Sequence, residues 1–248
     1  MQLSDDPGVM IYEDEYLLSI AAAGLFTRIA ALSIQERKRF LVALSGGSTP
    51  QRLFKILSQP PHALNVPWEQ SHFFWCDERL VPPGNPESNF GQAFEMLFSQ
   101  IKVPEENLHR MRGEEVPAQA VEEYRRMLES FGEEDRKWPR FDLVFLGLGA
   151  DGHTASLFPG VIDPKEKSST VMAVTTEYQG RPAGRITLTP LVFNGARNVV
   201  FMVSGKDKTH AVHETLNGQP NLDNWPAQRI HPVDGNLVWL LDAAAAGR

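Results

Sequence analysis

Cysteine is almost absent from this chain: Cys76 is the only one in 248 residues. No disulfide can form within it, which excludes a small disulfide-stapled scaffold and fits a reducing compartment, with a buried, inert thiol expected. Positive charge is also in short supply. Lysine and arginine total 24 against 31 aspartates and glutamates, a formal net charge of −7, so no general attraction to nucleic acid or to an anionic membrane is expected. Any anionic ligand must then be met by local cations. No stretch reads as the roughly 18 apolar residues of a membrane span, and the opening "MQLSDDPGVM" has neither the basic start nor the apolar segment of a secretory leader. A cytoplasmic protein with no nucleic-acid and no membrane partner is expected.

What is present suits a self-sufficient core, with 42% hydrophobic and 22% charged residues, too apolar for a disordered chain. Apolar or β-branched runs recur at 39–45, 71–77, 141–147, 170–176, 198–204 and 236–242. Their continuous hydrophobicity predicts strands covered on both faces, as in a parallel sheet. Helical periodicity fills the gaps at 15–38, 49–58, 88–101 and 118–131. The fold class read from this alternation is α/β, a mostly parallel twisted sheet with helices on both faces, Rossmann-like. No composition shift or charge block marks a linker, and the tail "DAAAAGR" is expected to be loose.

Polar clusters follow the strands. "SGGSTP" follows the first, "DERLVPP" the second, "GLGADGHT" the third and "SGKDKTH" the fifth. Ligands of open parallel sheets bind outside the carboxyl ends of the strands, so these loops are expected to converge at one edge. The stretch "GLGADG" (147–152) matches G-x-G-x-x-G, and Glu177 stands about where an acidic ribose ligand could sit. A dinucleotide fingerprint must open a long helix, however, and here "TASLF" soon meets Pro159 and Gly160, so the glycines read as a turn that presents His153. "SGGSTP" offers backbone N–H groups at a helix start, with Ser48 and Thr49 able to cap it, but lacks the Gly-Lys-Ser/Thr of a triphosphate loop. In "DER" the planar fork of Arg79 suits phosphate or carboxylate. "SGKDK" adds Lys206 and Lys208 at a helix opening, and Arg185 precedes "ITLTP". His153 has the reference pKa of a general base at neutral pH, and Asp151, two residues before it, can orient its ring or simply fix its own turn. His210 and His213 share a helix face without matching the zinc pattern H-E-x-x-H. Neither a metal nor a cofactor is expected.

Taken in order, "LSGGSTP", "CDERLVPPGNPESNFGQA", "FDLVFLGLGADGHTASLFPG" and "RITLTPLVFNGARNVVFMVSGKDK" closely resemble the 6-phosphogluconolactonase family. That family shares a superfamily with the glucosamine-6-phosphate deaminases. The resemblance runs from about residue 12 to about residue 241, so a single domain over 1–248 is expected. It implies hydrolysis of 6-phospho-D-glucono-1,5-lactone in the oxidative pentose phosphate pathway, with a phosphosugar lactone as the small-molecule partner. His153, with Asp151 and Arg79, is the implied catalytic set. Arg185 and Lys206 are implied to hold the phosphate, with Ser45, Gly46, Gly47, Ser48, Thr49 and Asp77 lining the sugar and phosphate site. The alternatives are a deaminase and a non-catalytic sugar-phosphate sensor. Deaminases typically carry tyrosine where Arg79 stands and an acid between the histidine and the proline, where this chain has "TASLFP"; sensors normally carry a DNA-binding helical module, for which there is no room before the first strand.

Overall fold

The computed structural model describes residues 8–133 and 136–248. Residues 1–7, on which most of the reading of the opening segment rests, lie outside the described residues. The strands are β1 (Gly8–Tyr12), β2 (Phe40–Leu44), β3 (Ser71–Trp75), β4 (Asp77–Arg79), β5 (Leu108–His109), β6 (Leu143–Leu146), β7 (Val171–Thr175), β8 (Gly184–Leu188), β9 (Asn198–Val203) and β10 (Asn236–Asp242). Seven of them form one all-parallel sheet in the order β1-β10-β9-β6-β2-β3-β5.

Side chains alternate across that sheet, and each face has its own core. Phe40, Val42 and Leu44 of β2 pack with helix α1 (Glu15–Arg37) and helix α2 (Ser48–Leu57), whereas Leu41 and Ala43 join Tyr124 and Leu128 of the helix Pro117–Glu129 on the other face. The sandwich of helix, sheet and helix is the expected α/β class. Helix α1 starts where Asp14 accepts from the Leu17 N–H at 2.8 Å and stops where Lys38 turns left-handed at φ 63°. Contrary to expectation, α1 is long and apolar enough to cross a membrane. Its apolar stripe, Leu18, Ala22, Phe26, Ile29 and Ala30, is buried in the core instead, the arrangement of a core helix. The segment expected as one helix over 88–101 is α-helical over Asn89–Ala93 and π-helical over Phe94–Phe98.

Two other expectations fail for identifiable reasons. The run at 170–176 is a strand, but β7 lies outside the parallel sheet, in a three-stranded antiparallel sheet of order β4-β8-β7. Its apolar start is buried while Ala173 and Thr175 are exposed, a half-covered pattern that a hydrophobic run alone does not reveal. The tail is held rather than loose: Ala245 is buried, its N–H donates to Asp242 Oδ1 at 2.7 Å, and the Ala244 carbonyl accepts from Thr209 Oγ1 at 2.9 Å. Cys76 is fully buried beside the Phe145 carbonyl, and burial raises its thiol pKa far above the ordinary range.

At one edge of the sheet His109 stacks on Phe74 and shares a hydrogen bond of 3.2 Å with His72. Burial, with the neighbouring His72, lowers the His109 pKa from 6.5 to about 4. A histidine depressed in the folded state is protonated first in the unfolded chain, so stability is lost as pH falls from about 6.5 towards 4. Thermal melts across that window are expected to show a falling Tm, and His109→Gln to flatten the slope; a wild-type Tm independent of pH there would contradict this reading.

Candidate active site

The loops that follow the parallel strands line one cleft of about 180 Å³. After β2 come Ser45 to Pro50; β3 runs on into β4, which carries Asp77 and Arg79; after β6 come Gly147, Leu148, Gly149 and His153; after β9 come Ser204 and Lys208. The antiparallel sheet closes the remaining side with Arg185 of β8 and with Tyr178, Gln179 and Arg181 from the β7–β8 connection. A larger, mostly apolar hollow of about 540 Å³ lies elsewhere, but its buried Arg229 and Glu166 neutralise each other at 2.6 Å and no histidine lines it.

His153 is held from three sides. Its Nδ1 lies 2.6 Å from Asp151 Oδ1, its ring stacks on Phe158 at 4.6 Å, and Tyr178 meets it edge-on at 4.7 Å. Burial raises the Asp151 carboxyl, but the hydrogen bond and charge of His153, with backbone N–H donors, outweigh it and leave the pKa below the ordinary carboxylate value. An ionised carboxylate only accepts. Nδ1 therefore carries the proton, and Nε2 is left as the basic nitrogen. The turn that permits this needs Gly149, where a β-carbon would collide with His153 Nδ1 and Asp151 Oδ1. Gly149→Ala is expected to displace the ring and lower kcat by about 10²-fold, the cost of roughly an ångström of misplacement; steady-state kinetics on a variant of unchanged Tm would check it. No helix follows the turn: Thr154 and Leu157 bridge each other, so the phosphate-binding geometry of a dinucleotide site is missing. Glu177, just past the end of β7, is exposed and does not line the cleft.

At the start of α2 the N-cap is Gly47, at φ 109°, and no side chain caps the helix. The expected capping by Ser48 and Thr49 does not occur; Ser48 is the first helical residue, and Thr49 Oγ1 instead meets Ser204 Oγ at 3.1 Å. The first N–H groups of the helix therefore face the cleft without a side-chain acceptor, as an anion site requires.

The "DER" cluster is buried, not a surface ion pair. Glu78 accepts from the N–H groups of Arg79, Asn89 and Phe90 and from Ser88 Oγ, at 2.8 to 3.0 Å, and so anchors the next helix. Asp77 accepts from Ser156 Oγ at 2.7 Å and from Asn89 Nδ2 at 3.1 Å. In the antiparallel register Arg79 lies directly opposite Arg185, and like charges so placed repel. Arg79 Nη1 reaches the Glu87 carbonyl at 2.7 Å, with a Glu87 carboxylate oxygen at 3.4 Å. Arg185 is 2% exposed, and its Nε and Nη2 have no hydrogen-bond partner. Burial lowers its pKa, Asp77 opposes that effect, and Arg79 and Arg181 add to it.

Of the residues expected from sequence, Ser45, Gly46, Gly47, Ser48, Thr49, Asp77, Arg79, His153 and Arg185 line this cleft, and Asp151 stands behind His153. Lys206 does not. It is exposed at the start of the 3-10 turn Lys206–Lys208, whose far end places Lys208 on the cleft wall. Tyr178 and Arg181 were not anticipated, because "EYQGRPAGR" gives no clear element; the alternation of Arg185 and Thr187 with Ile186 and Leu188 is the strand signal that could have placed that segment.

Comparison with known proteins places the chain in a family. The profile of the family described as glucosamine-6-phosphate isomerases/6-phosphogluconolactonase matches residues 13–239. The 6-phosphogluconolactonase of Aggregatibacter actinomycetemcomitans is 36% identical over 205 residues, 83% of this chain and 85% of that protein. That of Synechocystis is 37% identical over 238 residues, 95% of each chain. Among solved structures, 6-phosphogluconolactonase from Trypanosoma brucei superposes with a TM-score of 0.84 at 29% identity, covering 98% of this chain and 99% of its own. The chain belongs to the glucosamine-6-phosphate isomerase/6-phosphogluconolactonase family.

Proposed function

We infer that the chain hydrolyses 6-phospho-D-glucono-1,5-lactone to 6-phosphogluconate in this cleft. The observation that carries the reading is the pairing of an oriented histidine with two buried guanidiniums that face each other across β4 and β8. Such a pair calls for an anion between or beside them, and guanidinium forks match phosphate. The substrate phosphate sits on Arg185 with Lys208, while Lys206 lies outside the lining. The loop Ser45–Thr49 holds the sugar and the phosphate edge through its N–H and hydroxyl groups.

A lactone is an activated ester, so attack by water needs only a positioned base. Nε2 of His153 takes a proton from water as its oxygen bonds to C1. The carbonyl oxygen gains negative charge, which Arg79 stabilises; the N–H groups of Gly149 and Gly152 are already bonded to the His153 and Gly149 carbonyls. Collapse of the tetrahedral intermediate breaks the bond between C1 and the ring oxygen, and His153 returns the proton to that oxygen. Asp151 holds the ring and stabilises its protonated form throughout.

The deaminase reading is disfavoured by the cleft itself. Its lining carboxylate, Asp77, is tied to Ser156 and Asn89, and no acid lies on 154–158. The test is substrate discrimination. The wild-type chain is expected to accelerate the phosphorylated lactone strongly and the phosphate-free 1,5-lactone at least about tenfold less in kcat/KM, the loss of one charge-assisted contact. Equal use of the two lactones would overturn the phosphate assignment.

A further inference from the structure

The opposite edge of the parallel sheet carries a second concentration of arginines that the hydrolysis does not use. Arg39 immediately precedes β2, Arg197 immediately precedes β9, Arg140 lies just before Asp142 at the entry to β6, and Arg37 ends α1. Together with Asp142 and Glu133 they line a hollow of about 470 Å³. Because β2, β6 and β9 run parallel from these residues to the loops of the cleft, the hollow and the cleft sit at opposite ends of the same strands.

The charges there are only partly matched. Buried Asp142 accepts from Arg37 Nε at 3.0 Å and from the Leu41 N–H at 2.9 Å, and lies 3.3 Å from Arg197 Nε. Arg37 also pairs with Glu36, and Arg197 has Glu133 at 3.8 Å. Arg39 makes no hydrogen bond or ion pair among the described residues. Arg140 donates from Nη2 to the Asp234 carbonyl at 2.8 Å, and its buried Nε has no partner. Among the described residues Arg39 thus lines the hollow without a carboxylate, and Arg140, which also borders the larger apolar hollow where it bonds the Asp234 carbonyl, pairs with none either. The surplus is felt by the neighbours: burial lowers the Arg197 pKa, and Arg37 and Arg140 lower it further against Asp142 and Glu133.

We propose that this hollow is a second anion site, which takes a small phosphorylated molecule on Arg39 and Arg140, with Arg37 and Arg197 held in place behind them by Asp142. Unmatched guanidiniums crowded beside one another are relieved by a multivalent anion, and their planar forks bind phosphate through paired N–H donors. The volume exceeds what a lone phosphate fills, so the fitting class is a metabolite that carries one or two phosphates.

Inorganic pyrophosphate titrated into the ¹⁵N-labelled wild-type chain is the test. Two separable sets of amide shifts are expected, one at Gly46–Thr49 and one at Arg39, Leu41, Asp142 and Arg197. In R39Q/R140Q the second set should saturate at least about tenfold later, equivalent to the loss of a charge-assisted hydrogen bond. The first set and the kcat/KM for lactone hydrolysis should not change. Wild-type shifts confined to the cleft would overturn the proposal, as would strand-entry shifts that persist undiminished in the variant. If the double variant does not fold, R39Q alone is read by the same criterion, since Arg39 bonds no other side chain among the described residues.

Discussion

His153→Ala is expected to lower kcat by about 10²- to 10⁴-fold, the usual worth of a positioned acid/base, with KM little changed. The expectation follows from where the ring stands. Its Nδ1 is committed to Asp151 at 2.6 Å, its faces are fixed by Phe158 and Tyr178, and Nε2 is the one ring nitrogen left for a substrate water. Removal of the imidazole eliminates proton transfer but leaves Arg79, Arg185 and the Ser45–Thr49 loop able to bind the lactone. The two effects therefore separate in steady-state kinetics, where a group that acts only in the transition state lowers kcat and kcat/KM together. Asp151→Asn is the companion variant. It keeps a hydrogen-bonding partner yet removes the charge that fixes the tautomer, so it should lie between wild type and His153→Ala. A His153→Ala variant with raised KM and unchanged kcat would make the histidine a binding residue instead.

Arg185→Met should act in the opposite way, with KM raised about 10²-fold and a smaller effect on kcat. Loss of one partner of a desolvated charge pair costs about 2–5 kcal/mol, and about 1.4 kcal/mol corresponds to each tenfold in affinity. The same substitution separates a binding role from a structural one. Arg185 is buried with Nε and Nη2 unpartnered, opposite Arg79, and in the unliganded chain it has the Phe158 ring at 5.2 Å and the charge of Asp77 for company but no hydrogen bond to lose at those two atoms. An apolar residue of similar volume in place of an unmatched buried charge is neutral or stabilising, and the Tm of the variant should not fall. A Tm several degrees lower with KM unchanged would show that Arg185 supports the fold rather than the substrate.

The parallel sheet was legible because β2, β3, β6, β9 and β10 are buried on both faces and read as unbroken apolar runs. The two-residue β5 carries no such run, and the apolar "VMIY" of the edge strand β1 is short and exposed at Val9, Met10 and Ile11, so neither has the mark of a strand covered on both faces. The antiparallel sheet was harder for another reason. β4 is three charged residues whose burial depends on partners far away in sequence, and β8 alternates polar and apolar residues behind a loop rich in glycine and proline. In the site, the turn that presents His153 could be read from the lack of a helix after "GLGADG". Lys206 and Lys208 lie on one short turn, and their spacing does not say which of them faces inward. The direct opposition of Arg79 and Arg185, the feature that most strongly implies an anionic substrate, is a matter of strand register and cannot be read from either segment alone.

The most direct test of the central claim is the rate of 6-phosphogluconate formation from freshly generated 6-phosphogluconolactone, with the spontaneous rate subtracted and glucosamine 6-phosphate offered in parallel. Saturable acceleration of lactone hydrolysis is predicted, with no ammonium release from the amino sugar. Lactone hydrolysis no faster than background, with or without turnover of glucosamine 6-phosphate, would contradict that claim.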